Sequence, residues 1–385
     1  MPSAEKVFHY FKELSKIPRS SGDEKAVADW LVRFAEERHL ECVRDERNNV
    51  IIRKAATKAG CQCAPVILQG HTDMVYVRTP ECTRRYEDGI GLIEKDGFLS
   101  ADGTTLGADD GIAVAYALAV LDSDELVHPE LECIFTVSEE TGLMGAESLD
   151  YSQLRGRLML NMDSEDEGVF CTGCAGAFRV DFDLPLRYDV MTGTKLTVAF
   201  KGLTGGHSGE EINRGRANAI TLMGRLLTAL GREVRVVSLA AEGKTNAISN
   251  NATAELCVFT GREADVEARI RALEAEFQAE CGSRDNIHIE LTRGSGLATC
   301  SVYDEATQNR VASSLLLFPS GVMAMSYNVP DLVETSSNPA ILEQADAELK
   351  LAACVRSSVG SRKTEMRARI AALAKALGAK AVCDS

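Results

Sequence analysis

The chain has 385 residues, 45% hydrophobic and 26% charged, with 12 cysteines and a formal net charge of -15. That composition supports buried cores in about two domains, and the acidic balance argues against nucleic acid or an anionic membrane surface as partner. No apolar run approaches the roughly 18 residues of a membrane span. The first residues lack the layout of a signal peptide and the cysteines form no disulfide framework, so the expected location is the cytoplasm.

In chain order, Val7, Phe8, Phe11 and Leu14 mark an amphipathic helix over 4–16, ended near Pro18. Ser20-Ser21-Gly22-Asp23-Glu24 reads as capping residues ahead of a second helix with Ala26, Val27, Trp30, Leu31 and Phe34 on its apolar face. A strand pair or a strand with a turn is predicted over 42–52, a buried strand over 65–68 and a hairpin over 86–102. A buried helix over 112–121 and apolar strands over 131–137 and 158–162 follow. This alternation reads as an α/β layer with a largely parallel sheet, whose ligands belong at the carboxyl ends of the strands.

Beyond residue 184 the pattern changes to strands at 194–200, 233–239, 251–259, 286–291, 321–327 and 346–356. Helices are predicted over 215–230, 263–279, 305–317 and 361–377. This half reads as a separate α+β domain, so the expected division is 1–183 and 184–385.

The chemistry-bearing residues follow apolar runs: His71 and Asp73, Asp109 and Asp110, Glu139 and Glu140, and Asp163. Singly, each has a bland reading; Asp109-Asp110, for instance, suits a helix N-cap. Together they form a metal-site pattern, because carboxylates gathered in one place repel unless cations neutralise them. Two divalent ions would do so and would lower the pKa of water, giving one of the paired glutamates a proton to carry. Cys61-Gln62-Cys63 and Cys171-Thr172-Gly173-Cys174 lack the second matching pair of a zinc knuckle and read as structural.

The segments Gln69-Gly70-His71-Thr72-Asp73, Thr105-Leu106-Gly107-Ala108-Asp109-Asp110-Gly111, Ser138-Glu139-Glu140-Thr141-Gly142 and Asn161-Met162-Asp163-Ser164-Glu165 resemble those of the M20 metallopeptidases. Gly205-Gly206-His207-Ser208-Gly209-Glu210-Glu211 and Val333-Glu334-Thr335-Ser336 resemble the aminoacyl-histidine dipeptidase branch. The resemblance implies a zinc-peptidase-like catalytic domain and a lid domain. It makes His71, Asp109 (bridging), Glu140 and Asp163 metal ligands, Glu139 the general base and Asp73 the carboxylate that orients His71. It makes His207 an oxyanion contact and Asn246 a substrate contact, and it implies a cis-like peptide after Asp109. The expected activity is metal-dependent hydrolysis of Xaa-His (carnosine-like) and other unblocked dipeptides, with Zn2+, or Mn2+ or Co2+ as substitutes, in a homodimer. A tripeptidase or a deacylase is the neighbouring alternative.

His9, His39, His128 and His288 match no motif and are expected at the surface. The family's last ligand is a histidine far toward the C-terminus, and no histidine follows His288 here. The expectation is therefore a chain lacking the C-terminal part of its catalytic domain, with a weakened second metal position. A remnant that binds metal or peptide with little or no activity is the competing reading.

Overall fold

The computed structural model describes residues 3–59, 62–164 and 168–384; Cys61 and Glu165, named in two of the motifs, lie outside the described residues. The chain divides into two units, Met1–Phe170 and Cys171–Ser385.

The first unit runs α1 (Ala4–Leu14), α2 (Lys25–Glu37), β1 (Glu41–Arg44), β2 (Val50–Lys54), β3 (Val66–His71), β4 (Leu92–Lys95), β5 (Phe98–Ala101), α3 (Ala108–Leu121), β6 (Leu131–Thr136), α4 (Met144–Ser148) and β7 (Leu158–Asn161). Its main sheet has the order β1-β2-β6-β3-β7. β3 is parallel to β6 and to β7, whereas β1, β2 and β6 pair antiparallel. The sheet is thus mixed, and its parallel half brings the carboxyl ends of β3, β6 and β7 to one edge, where ligands bind in such sheets.

Period-two alternation divides the strand side chains between the faces. Val50, Ile52, Cys133 and Phe135 pack with Phe11, Leu31, Phe34 and Leu118, while Ile51, Ile67 and Ile134 meet Leu149 and Leu154. Each such aliphatic or aromatic side chain, fully buried, contributes roughly 1.5–3 kcal/mol. The edge strand β7 differs: Leu158, Met159 and Leu160 are 59%, 44% and 44% exposed.

In the second unit, β8 (Gly176–Pro185), β9 (Tyr188–Lys201), α5 (Ala219–Leu230), β10 (Val234–Ala240), β11 (Ala252–Val258), α6 (Glu263–Cys281), β12 (His288–Tyr303), α7 (Glu305–Leu317), β13 (Gly321–Met325), β14 (Val333–Gln344), β15 (Glu348–Ser357), α8 (Gly360–Leu377) and β16 (Lys380–Cys383) follow. They build sheets ordered β10-β11-β9-β12 and β13-β14-β15-β8-β16, every pairing antiparallel. One core unites them, with Phe182, Phe200, Leu226, Phe277, Val311, Leu351 and Ile370 among its members.

The division falls after Phe170 rather than after 183, because β8 pairs along its whole length with β15. The sequence reading also missed β14 and β16. His128 departs from its expected surface position: it is 6% exposed, with Nδ1 2.7 Å from Pro129 O and its backbone N–H donating to Thr57. Among the described residues no helix is long and apolar enough to cross a membrane.

Candidate metal centre

The centre is assembled by three strand ends and one helix start. His71 is the last residue of β3, Glu139 and Glu140 follow β6, Asp163 follows β7, and Asp109 and Asp110 open α3. Gly70 lets α3 approach: a Cβ there would stand 2.7 Å from Asp110 Oδ2 and 2.8 Å from Ala113 Cβ. The Asp109–Asp110 peptide is cis, as the family resemblance implies.

His71 is 1% exposed and its two ring nitrogens face different groups. Nδ1 lies 3.0 Å from Asp73 O and 3.3 Å from Asp73 Oδ1. Nε2 lies 3.0 Å from Asp109 Oδ1, 3.8 Å from Asp163 Oδ2 and 3.9 Å from Glu139 Oε2. An Nδ1–H directed at Asp73 leaves the Nε2 lone pair facing the carboxylates, which is the tautomer a metal ligand needs. Asp73 is itself held: Oδ1 accepts from Glu139 N at 3.0 Å, and Oδ2 accepts from Ser21 Oγ at 2.7 Å and Glu140 N at 3.3 Å.

The charges show how crowded the centre is. Burial opposes ionisation of Asp73, but the His71 hydrogen bond, the Glu139 N–H and the Ser21 hydroxyl outweigh it and bring the carboxyl down to about 2. Burial likewise opposes the His71 cation, yet Asp73, Asp110 and Asp163 lift it to about 9. Asp110 is pushed up to about 7 by burial, with Asp163 and Asp109 adding and His71 opposing. Glu139, Glu140 and Asp163 are each raised, first by burial and then by neighbouring carboxylates, with His71 opposing. Carboxylates that raise one another around a single imidazole are the condition a divalent cation relieves.

The donor set fits such an ion. His71, Asp109 and Glu140 form one group, and His71, Asp110 and Asp163 another, each with ligand atoms within 4.8 Å of one another. All the first-unit residues singled out from the sequence are brought together here. Asp110 stood in the sequence pattern without a ligand role, and the path of α3 aims its Oδ2 at the backbone N–H of His71, 3.1 Å away. It makes no helix cap; Gly107 occupies that position.

His207 and Asn246 belong to the second unit. Their segments are joined: Ser208 N donates to Asn246 O at 2.8 Å, and Ile248 N to Gly206 O at 2.8 Å. The His207 N–H donates to Glu211 Oε2 at 3.1 Å, and Arg216 pairs with the same carboxylate at 2.8 Å. Arg356, absent from the sequence reading, reaches the same loop. A Cβ on Gly209 would stand 3.0 Å from His207 Cε1 and 3.3 Å from Arg356 Cζ. His207 Nδ1, Ser208 Oγ and Arg356 Nε are buried without hydrogen-bond partners among the described residues. Cys171 and Cys174 are exposed free thiols.

No family model matches the chain. It is 31% identical to the cytosol non-specific dipeptidase of Escherichia coli (strain K12), over 98% of this chain and 79% of that protein. It is 28% identical to the uncharacterized protein YqjE of Bacillus subtilis (strain 168), over 76% of each. The crystal structure of aminoacylhistidine dipeptidase from Vibrio alginolyticus superposes with a TM-score of 0.83 at 31% identity, covering 100% of this chain and 79% of that one. These two dipeptidase matches run along nearly the whole chain, which spans 79% of each relative's own length.

Proposed function

Because the chain belongs to the M20 metallopeptidases, in the family of the cytosol non-specific dipeptidases, we propose that it hydrolyses unblocked dipeptides, Xaa-His (carnosine-like) pairs among them, at the acidic centre of the first unit. The observation that supports this most is the convergence of Asp109, Glu139 and Asp163 on Nε2 of one buried histidine. His71, Asp109, Glu140 and Asp163 would hold divalent ions, zinc by preference and manganese or cobalt as substitutes. Such an ion supplies Lewis-acid chemistry, polarising a peptide carbonyl and acidifying water.

The remaining work falls to the chain's own groups. Glu139, raised by burial and by its acidic neighbours, is suited to take a proton onto its carboxylate from the attacking water and to return it to the leaving amine nitrogen. Asp73 keeps the Nδ1 proton of His71 in place. In the second unit, the motif gives His207 the role of steadying the carbonyl oxygen and Asn246 that of holding substrate. Arg356, whose Nε is buried without a hydrogen-bond partner among the described residues and whose guanidinium lies against Gly209, places a cation beside the His207 loop. A cytoplasmic location and a homodimer formed through the second unit complete the reading.

The test is hydrolysis by the purified chain, stripped with a chelator and reloaded with zinc, against dipeptides, tripeptides and N-acyl amino acids. Dipeptides are expected to be cleaved only after reloading. Preference for tripeptides or acyl amino acids moves the assignment to those neighbouring activities. A zinc-loaded chain that cleaves none of them supports the remnant reading instead.

A further inference from the structure

The loop between α1 and α2 contributes no carboxylate or imidazole to the cluster, and its sequence reads as helix capping. The cap is not made: Glu24, at the N-cap of α2, forms no side-chain cap bond. The loop's side chains turn instead to the segments that carry the centre. Arg19, 1% exposed, donates from Nη1 to Thr72 O at 2.9 Å and Asp73 O at 3.3 Å, and from Nη2 to Gly107 O. Met74 N donates back to Arg19 O at 3.1 Å. Ser21 Oγ donates to Asp73 Oδ2 at 2.7 Å. Glu24, 4% exposed, accepts on Oε1 from Ser138 N at 2.9 Å and Ser138 Oγ at 2.8 Å. Ser138 has φ 53° and immediately precedes Glu139.

We propose that Arg19, Ser21 and Glu24 form a positioning clasp for the metal centre. Arg19 sets the spacing between the His71–Asp73 strand end and the Asp109–Asp110 turn, and Glu24 sets the backbone that carries Glu139 and Glu140. The inference rests on the reading that the cluster holds a divalent metal. Three carbonyl oxygens from two segments converge on one planar guanidinium, whose rigid fork fixes direction as well as distance. The glycines on either side of Asp109–Asp110 make room for it: a Cβ at Gly107 or Gly111 would stand 2.6 Å from Arg19 Nη2. Glu24 bonds both the backbone and the hydroxyl of a residue in the left-handed region, a conformation uncommon for serine. Misplacing a ligand-bearing backbone weakens a metal site without touching any ligand.

The experiment measures zinc affinity of the full chain by competition with a chromophoric chelator, beside kcat and KM for a dipeptide. Arg19→Lys and Glu24→Gln are expected to weaken zinc binding 10- to 100-fold and to lower kcat more than they raise KM, with unchanged circular dichroism. Arg53→Lys is the control. It disturbs a buried ion pair with Glu132 in the same sheet and is expected to keep wild-type zinc affinity. Should Arg19→Lys fail to fold, Glu24→Gln and Ser21→Ala decide, since both keep the buried cation. Variants that bind zinc as the wild type does, or that weaken it no more than Arg53→Lys, overturn the clasp alone. A wild-type chain that binds no divalent metal overturns the underlying reading and the clasp with it.

Discussion

Asp73 touches nothing that reacts, yet it takes hydrogen bonds from Glu139, Glu140 and Ser21 while facing the His71 imidazole. Asp73→Asn keeps its shape and loses its charge, so zinc affinity or activity is expected to fall about 10- to 100-fold, read by metal competition and turnover. Glu139→Gln should lower kcat by about 10²–10⁴ with zinc still bound, and loss of zinc from that variant would make Glu139 a ligand rather than the base. His71→Ala should abolish both metal binding and turnover. The same charges set a pH dependence for the metal-free chain. Asp110, raised to about 7, contributes stability that is full below the ordinary Asp pKa and lost as pH rises through 7. His71, raised to about 9, contributes stability that is full below the ordinary His pKa and lost as pH rises through 9. Asp73, lowered to about 2, works oppositely, losing its contribution only as pH falls through 2. Chelator-treated protein should therefore melt at falling temperature from pH 5 to pH 9, and zinc should flatten the decline. A flat profile without metal would refute the assigned charges.

At the scale of elements, the parallel pairing of β3 with β6 and β7 makes scattered motifs one site, because parallel strands end together. That His71 and Asp73 follow an apolar run was legible from local order alone, with His71 the last residue of β3 and Asp73 just beyond it. β14 was not legible. Its Ser336-Ser337-Asn338-Pro339 stretch carries no apolar alternation, and Pro339 sits where the pairing with β15 shifts register, the kind of place a sheet tolerates proline. Hydrogen bonds found only in three dimensions hold it, such as Asn338 Nδ2 to Ala247 O at 2.7 Å. β7 is the converse: its apolar letters predict burial, and the strand is instead an exposed edge, a template for association between chains. Met159→Lys should raise the concentration at which the protein aggregates without lowering its melting temperature, as light scattering beside a thermal melt would show. Unchanged aggregation would clear this edge.

Across the whole molecule each unit has its own core, and the single tryptophan, Trp30, lies on α2 packed against the first. Its fluorescence therefore follows the unit that carries the candidate metal centre. Zinc at 100 times its Kd should stabilise that unit by about 2.7 kcal/mol, moving the Trp30 transition in urea to higher concentration; a transition that ignores saturating zinc would remove the centre from this unit. Both candidate ligand groups draw on His71, and its Nδ1 is turned to Asp73. One ion per chain is therefore expected to survive dialysis and a second to be lost, a stoichiometry that elemental analysis reads directly.

The sequence by itself determined the candidate ligand types, the strand ends that carry them and the change of architecture between the two halves. Each of these depends on local order: a polar group after an apolar run, a period of two or of 3.6. Tertiary structure alone decided that Asp110 accepts the backbone N–H of His71, that Arg356 reaches the His207 loop, that β14 forms and that β8 belongs to the second unit. It also turned Glu24 from a capping residue into a partner of Ser138, and it gave Arg19 the carbonyls of Thr72, Asp73 and Gly107. Those outcomes depend on hydrogen bonds between residues far apart in the chain, whose distances exist only once the backbone is folded.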